Sequence, residues 1–264
     1  MVTRMQDLPE PIEIGEMRLS VLGCDGSYAG PGGACSGYLL TTPRARVWID
    51  AGPGTLARVQ RHLRLEELTA VIVTHEHPDH CGELPVLRNA LKYLLDASGM
   101  PVITTAGVRR LVDHISGGAA PTFAWDEVRG GDERRVGDLR LRFVRTDHPV
   151  ETLAVRIDHG SGSLVYSSDT GPALDGAHLD PDGVGVDVAL VEASLSAEQE
   201  GQVQHLSAAQ AACFVRAVGA RKVVVTHVAP RSDPAERGAE VRAELEAAGV
   251  SMEVLAAADH QTRG

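Results

Sequence analysis

Aromatic residues are scarce in this chain. Three Phe, two Trp and four Tyr serve 264 residues, so a core of the size the length allows has to be built from Val, Leu, Ala and Ile. Basic charge is short as well: 25 Lys and Arg stand against 36 Asp and Glu, a formal net charge of -11. That balance argues against non-specific binding to nucleic acid, whose affinity comes mainly from neutralising phosphates with Lys and Arg. No apolar run reaches the roughly 18 residues that span a bilayer, and the opening MVTRMQDLPEPIEIGE has no apolar signal-peptide core. The expected location is the cytoplasm, with no membrane partner. CxxC pairs are missing too. Cys24, Cys35, Cys81 and Cys213 are isolated and are expected to be free thiols, buried as small residues.

What the chain does contain is short β-type runs alternating with helical segments. There is no internal repeat and no low-complexity linker, and the reading is one domain over 1–264. RLSVLGC (18–24) reads as a strand and is followed by a Gly-rich loop, GCDGSYAGPGGACSG (23–37). SGYLLTT (36–42) and ARVWIDAG (45–52) form a hairpin closed around Pro43. A helix over 55–63 and an apolar strand over 68–75 come next. In GELPVLRNALKYLLDA (82–97) apolar residues fall at 84, 87, 91, 94 and 95, which is helical spacing. A strand over 101–105 and a helix over 107–115 end the first half. The second half follows a similar order, with strands over 139–148, 152–160, 162–170, 187–194 and 222–228. Its helices cover 206–220, where Ser207 and Gln210 make a capping box, and 233–249. Two sheets packed face to face with helices outside would bury these strands on both faces. The expected class is α/β, a four-layer αββα sandwich.

One stretch concentrates chemistry. AVIVTHEHPDHCGELP (70–85) places His75, His77, Asp79 and His80 directly after an apolar run. Zinc prefers imidazole nitrogen and carboxylate oxygen, with a position left open in catalytic sites. No regular helix or strand points all four side chains at one spot. A loop at a strand end can, with His75 and His77 facing one metal and Asp79 and His80 another, stiffened by Pro78. A solvated His-rich turn is the alternative. Three further residues, His148 in RTDHPVET, Asp169 in VYSSDTGP and His227 in VVVTHVAP, each follow a β-type run. One such residue would be ordinary; three after the first cluster favour a shared metal centre.

HEHPDH, with the later His, Asp and His in order, resembles the ligand motifs of the metallo-β-lactamase superfamily, over nearly the whole chain. The resemblance implies that His75, His77 and His148 hold one metal, that Asp79, His80 and His227 hold a second, and that Asp169 bridges them. It implies two Zn²⁺ as cofactors, with Mn²⁺ or Fe²⁺ able to use the same ligands, and homodimers are frequent in the family. Superfamily members that hydrolyse lactams lack a bridging Asp here, so lactam hydrolysis is not expected. Two Zn²⁺ set against Asp79, Asp169 and a bridging hydroxide leave about one positive charge, which suits a small anionic ester.

VEAS (191–194), HLSAAQAA (205–212) and the Gly-rich opening resemble the ribonuclease Z branch and the small cyclic-nucleotide phosphodiesterases related to it. On that pattern Glu192 and His205 stand beside the metals and, with Asp79, carry the catalysis. The plainer readings are a solvated strand end for Glu192 and a polar helix-start residue for His205. Ribonuclease Z inserts a tRNA-gripping arm between the third-motif His and the bridging Asp. Here only residues 149–168 lie between them, without a basic insertion. The resemblance therefore implies hydrolysis of a small phosphodiester, a cyclic nucleotide among the candidates, by a metal-bridging hydroxide. A lactonase or thioesterase of the same fold, or tRNA 3′ processing, is the alternative. Asp50 in WIDAGPG is either a carboxylate that orients a metal-binding histidine or a turn residue. His62, His114, His159, His178 and His260 are expected to be surface or structural.

Overall fold

Val71, Ile72 and Val73 succeed one another without alternation, and all three are buried. A strand buried on both faces needs a layer on each side. The computed structural model supplies those layers; it describes residues 9–160 and 162–258. Strands β1 (Ile12–Ile14), β2 (Met17–Gly23), β3 (Gly37–Thr41), β4 (Arg46–Ile49), β5 (Ala70–Val73), β6 (Met100–Thr104) and β7 (Phe123–Glu127) form one sheet in that spatial order. Strands β8 (Glu133–Val136), β9 (Leu139–Arg145), β10 (Leu153–His159), β11 (Gly162–Tyr166), β12 (Val186–Glu192), β13 (Ala220–Thr226) and β14 (Glu253–Ala256) form the other, again in sequence order. In each sheet the first four strands are an antiparallel meander and the remaining pairings are parallel.

Three apolar layers hold this arrangement. Between the sheets, Leu19, Tyr38, Ile49 and Ile72 meet Leu141, Tyr166, Leu190 and Val224. Outside the first sheet, Trp48, Val71 and Val102 pack on helices α1 (Thr55–Val59), α2 (Pro78–Cys81), α3 (Leu84–Asn89) and α4 (Ala106–Ser116). Outside the second sheet, Ala189, Val223 and Val225 pack on α5 (Ala208–Ala217) and α6 (Pro234–Ala247). This is the expected αββα sandwich. Tyr38 and Tyr166 meet edge to face at 5.2 Å between ring centroids. Each also spends its hydroxyl on a polar partner across the sandwich: Tyr38 on Thr226 Oγ1 at 2.6 Å, Tyr166 on Asp50 Oδ2 at 2.8 Å.

Several local readings need correction. Residues 76–81 are not a loop throughout: Asp79 and His80 lie in the single turn of α2, with Pro78 at its first position, where the missing N–H costs nothing. The helix expected over 82–97 divides into α3 and a π-helical turn over Ala90–Leu94. The wider turn breaks the buried Leu84, Leu87, Leu91 stripe and leaves Leu94 exposed. Strands β1, β7 and β8 were not legible, because the first is three residues long and the other two carry charge on positions facing solvent. Cys24, Cys35 and Cys81 are buried as expected, but Cys213 is exposed on α5. No helix among the described residues is long and apolar enough to cross a membrane.

Candidate metal centre

The parallel strands end at one edge of the sandwich, and the polar residues that follow them converge there. His75 and His77 follow β5, Asp79 and His80 come from α2, and His148 from the β9–β10 connection. Asp169 follows β11, Glu192 ends β12 and His227 follows β13. All seven expected ligand residues are brought together in two groups, His75/His77/His148/Asp169 and Asp79/His80/Asp169/His227. Within each group one donor atom per residue lies within 4.8 Å of the others. Asp169 belongs to both. Its Oδ2 is 3.5 Å from His75 Nε2 and 4.0 Å from His148 Nε2, and its Oδ1 is 3.1 Å from His80 Nε2 and 3.3 Å from His227 Nε2.

In four of the five imidazoles the outer nitrogen is tied down. His80 Nδ1 donates to Asp50 Oδ2 at 2.8 Å, and His148 Nδ1 donates to the Gln204 carbonyl at 3.2 Å. Ser194 Oγ donates to Glu192 Oε2 at 2.7 Å and so accepts from His227 Nδ1 at 2.9 Å. Thr74 Oγ1, spent as a donor on Asp50, accepts from His75 Nδ1 at 3.2 Å. Such partners fix the tautomer and turn the Nε2 lone pair inward. His77 instead aims Nδ1 at His148 Nε2, 3.2 Å away. Asp50, completely buried, accepts from Thr74, His80 and Tyr166, so it orients a histidine rather than merely making a turn.

Whether a metal fits can be judged from the atoms left over. His75 Nε2, His80 Nε2 and Asp169 Oδ1 are buried and have no hydrogen-bond partner. Buried polar atoms are normally satisfied, and three unsatisfied ones within these two groups, all nitrogen or carboxylate oxygen, match what a divalent ion takes. Electrostatics agrees at His75 and His148. Burial pushes His75 and His148 down to about 4, so both are neutral and ready to ligate at neutral pH. Burial opposes charge on His80 as well, but the flanking Asp169 and Asp50 carboxylates hold it well above the ordinary histidine range. Asp169 is pushed up by burial and pulled well below the carboxylate range by His227 and His80.

Backbone strain concentrates at the same place. Asp50, Ser168 and His227 adopt φ of 54°, 52° and 53°, a left-handed conformation that costs a non-glycine residue on the order of 1–3 kcal/mol. Gly26 is required for a different reason: a Cβ there would fall 2.8 Å from His227 Nδ1.

Glu192 and His205 complete the group. The Glu192 carboxylate is buried and accepts from Thr170 N at 2.7 Å, from Ser194 and, at 2.9 Å, from His205 Nδ1. The His205 ring lies 5.4 Å from that of His148 and 5.3 Å from that of His227, beside both metal groups. Burial lowers its affinity for a proton, but the Glu192 charge outweighs this and raises it to about 9. Sequence reasoning missed Thr74, Thr170, Ser194, Gln204 and the two tyrosines. The only signal was hydroxyl residues clustered at strand ends. Of the other histidines, His114 and His178 are exposed, and His159 is buried against Asp138 at 3.2 Å. His62 is half-buried, and His260 lies outside the described residues.

Two seven-stranded sheets with a shared-carboxylate His/Asp centre at their common edge define a metal-dependent hydrolase fold and site. The beta-lactamase superfamily domain matches residues 45–228, and the protein belongs to the metallo-β-lactamase superfamily. It is 32% identical over 244 residues to the uncharacterized protein Rv1339 of Mycobacterium tuberculosis, covering 87% of each chain. It is 25% identical to the probable metallo-hydrolase YhfI of Bacillus subtilis, over 80% of this chain and 87% of that one. The crystal structure of YhfI superposes with a TM-score of 0.81 at 23% identity, over 92% of this chain and 96% of that one. A ribonuclease Z from Methanopyrus kandleri is 26% identical over 86% of this chain and 92% of its own.

Proposed function

We propose that the protein hydrolyses a small phosphodiester, with a cyclic nucleotide as the first candidate. The observation that carries this reading is the Glu192–His205 pair beside both metal groups. A departing alkoxide needs a proton, and an imidazole held at about 9 carries one at neutral pH. Glu192 accepts from Nδ1, which leaves Nε2 as the atom that donates. Divalent ions held by the seven His and Asp side chains would stabilise charge on the phosphoryl oxygens and supply a nucleophile near neutral pH.

The chain's own residues then do the rest. Glu192 fixes the His205 ring and, through Thr170 N, the turn that carries Asp169. Hydrolysis adds water across the P–O bond: a hydroxyl joins phosphorus, the leaving oxygen keeps the bonding pair and takes the proton from His205 Nε2, and the proton lost by the water passes to solvent, from which His205 is protonated again. Glu192 is a positioning residue, since it acts through His205. The named ribonuclease relative supports phosphodiester chemistry. The β10–β11 hairpin fills the interval between His148 and Asp169, which favours a small substrate over a folded RNA. A panel with metal-reconstituted protein tests the reading. Cyclic nucleotides and bis(p-nitrophenyl) phosphate are expected to be cleaved, and a lactone, a thioester and precursor tRNA left intact. Preferential turnover of the lactone or thioester, or site-specific cutting of precursor tRNA, would overturn it.

A further inference from the structure

His148 comes from the connection between β9 and β10, and Asp169 from the one that follows β11. The residues just before His148 and just after Asp169 are laced together. Thr146 Oγ1 donates to the Asp169 carbonyl at 2.8 Å, and Asp147 N donates to Thr170 Oγ1 at 3.3 Å. Gly171 N donates to the Asp147 carbonyl at 2.6 Å, and Ala173 N donates to Asp147 Oδ2 at 3.2 Å. Asp147 thus engages the turn after the shared ligand with its amide, its carbonyl and its carboxylate together.

The carboxylate sits so close to that turn that no side chain fits opposite it. A Cβ on Gly171 would overlap Asp147 Oδ2. Gly171 is not among the residues of positive φ, so its conformation does not ask for glycine; the approach of the carboxylate does. Asp147 belongs to neither donor group. It has no ion pair among the described residues, so its carboxylate serves as a hydrogen-bond acceptor. The gap it governs is the wide one. Of the contacts between Asp169 and the ligand histidines, at 3.1, 3.3, 3.5 and 4.0 Å, the longest is to His148. Both residues come from connections of the second sheet, so that distance follows from how the two connections lie against each other.

We propose that Asp147 is a positioning residue for the first donor group. It clasps the Asp169 turn against the His148 connection and so sets the bite of His148 and Asp169 on a divalent ion. The inference rests on the metal centre and is independent of which ester is hydrolysed.

Titration of Zn²⁺ into chelator-stripped protein, in competition with a chromophoric chelator, tests it in wild type and four variants. Losing a group that orients a metal ligand typically weakens metal binding about 10–100-fold. Asp147→Ala should lose that much on one of the two ions and leave the other unchanged, whereas a general loss of structure would weaken both. Asp147→Asn keeps an oxygen for Ala173 N and should bind both ions as wild type does. Gly171→Ala displaces the carboxylate and should match Asp147→Ala. The double variant should be no weaker than either single one, because both remove the same contact. If Asp147→Ala does not fold, Gly171→Ala and Asp147→Asn decide the matter in the same titration. Unchanged affinity in Asp147→Ala or Gly171→Ala, equal weakening of both ions, or additive losses in the double variant would overturn the clasp and leave the metal centre standing. A loss in Asp147→Asn equal to that in Asp147→Ala would overturn it too. If the wild type binds no Zn²⁺, the metal centre and the clasp fall together.

Discussion

His205 separates two roles that a histidine can have beside a metal. As a proton donor it matters only when the leaving oxygen is basic. His205→Ala should therefore keep its metal content and slow hydrolysis of a cyclic nucleotide by about 10²–10⁴-fold, the usual worth of a positioned acid. It should have much less effect on an aryl diester, whose nitrophenolate departs without a proton. The pH profile carries the sign. The Glu192 charge raises the proton affinity of His205 to about 9 against the effect of burial, so the donating form is present below that pH and lost above it. Cyclic nucleotide turnover should fall as pH rises through about 9, and the aryl diester should lack that limb. Stopped assays across pH check this, and equal losses on both substrates would make His205 a structural residue. All seven ligand residues were legible because each follows a β-type run and fits a known motif. The partners that orient them were not: Tyr166 reaches Asp50 across 116 residues, and Ser194 reaches His227 across 33. Nothing local marks such pairs.

At the scale of elements, α5 is tied to the site by its first turn. Ser207 caps the helix, accepting from Gln210 N while the Gln210 side chain accepts from Ser207 N. Leu206 N donates to Glu192 Oε2 at 3.3 Å. With the Gln204 carbonyl held by His148 Nδ1, the segment that carries His205 is fixed on both sides. Ser207→Ala should cost about 1 kcal/mol of stability, read as a lower denaturant midpoint with an unchanged slope; no shift in the midpoint would show that the cap carries none of the load. This box was readable because it lies within four residues. The turn of α2 was not, since one helical turn has too few positions to show a period. The π-helical turn after α3 escaped for a related reason: the apolar spacing continues through Leu94 and Leu95, but the backbone does not follow it.

On the scale of the whole molecule, two sheets of like topology bring their parallel strand ends to one edge, and Asp169 joins two donor sets drawn from both. The paired halves were visible in the sequence as a repeated order of elements. Which edge they would share was not, because the contact between sheets is made by apolar side chains that many registers could satisfy. The central prediction is that this shared edge works as a two-metal hydrolytic centre. Titrating Zn²⁺ or Mn²⁺ into chelator-stripped protein while following cyclic nucleotide hydrolysis tests that most directly. The predicted result is no turnover in the stripped protein and full activity once two ions per chain are bound. Full turnover in the stripped protein with chelator present, or no turnover with two ions bound, would contradict it.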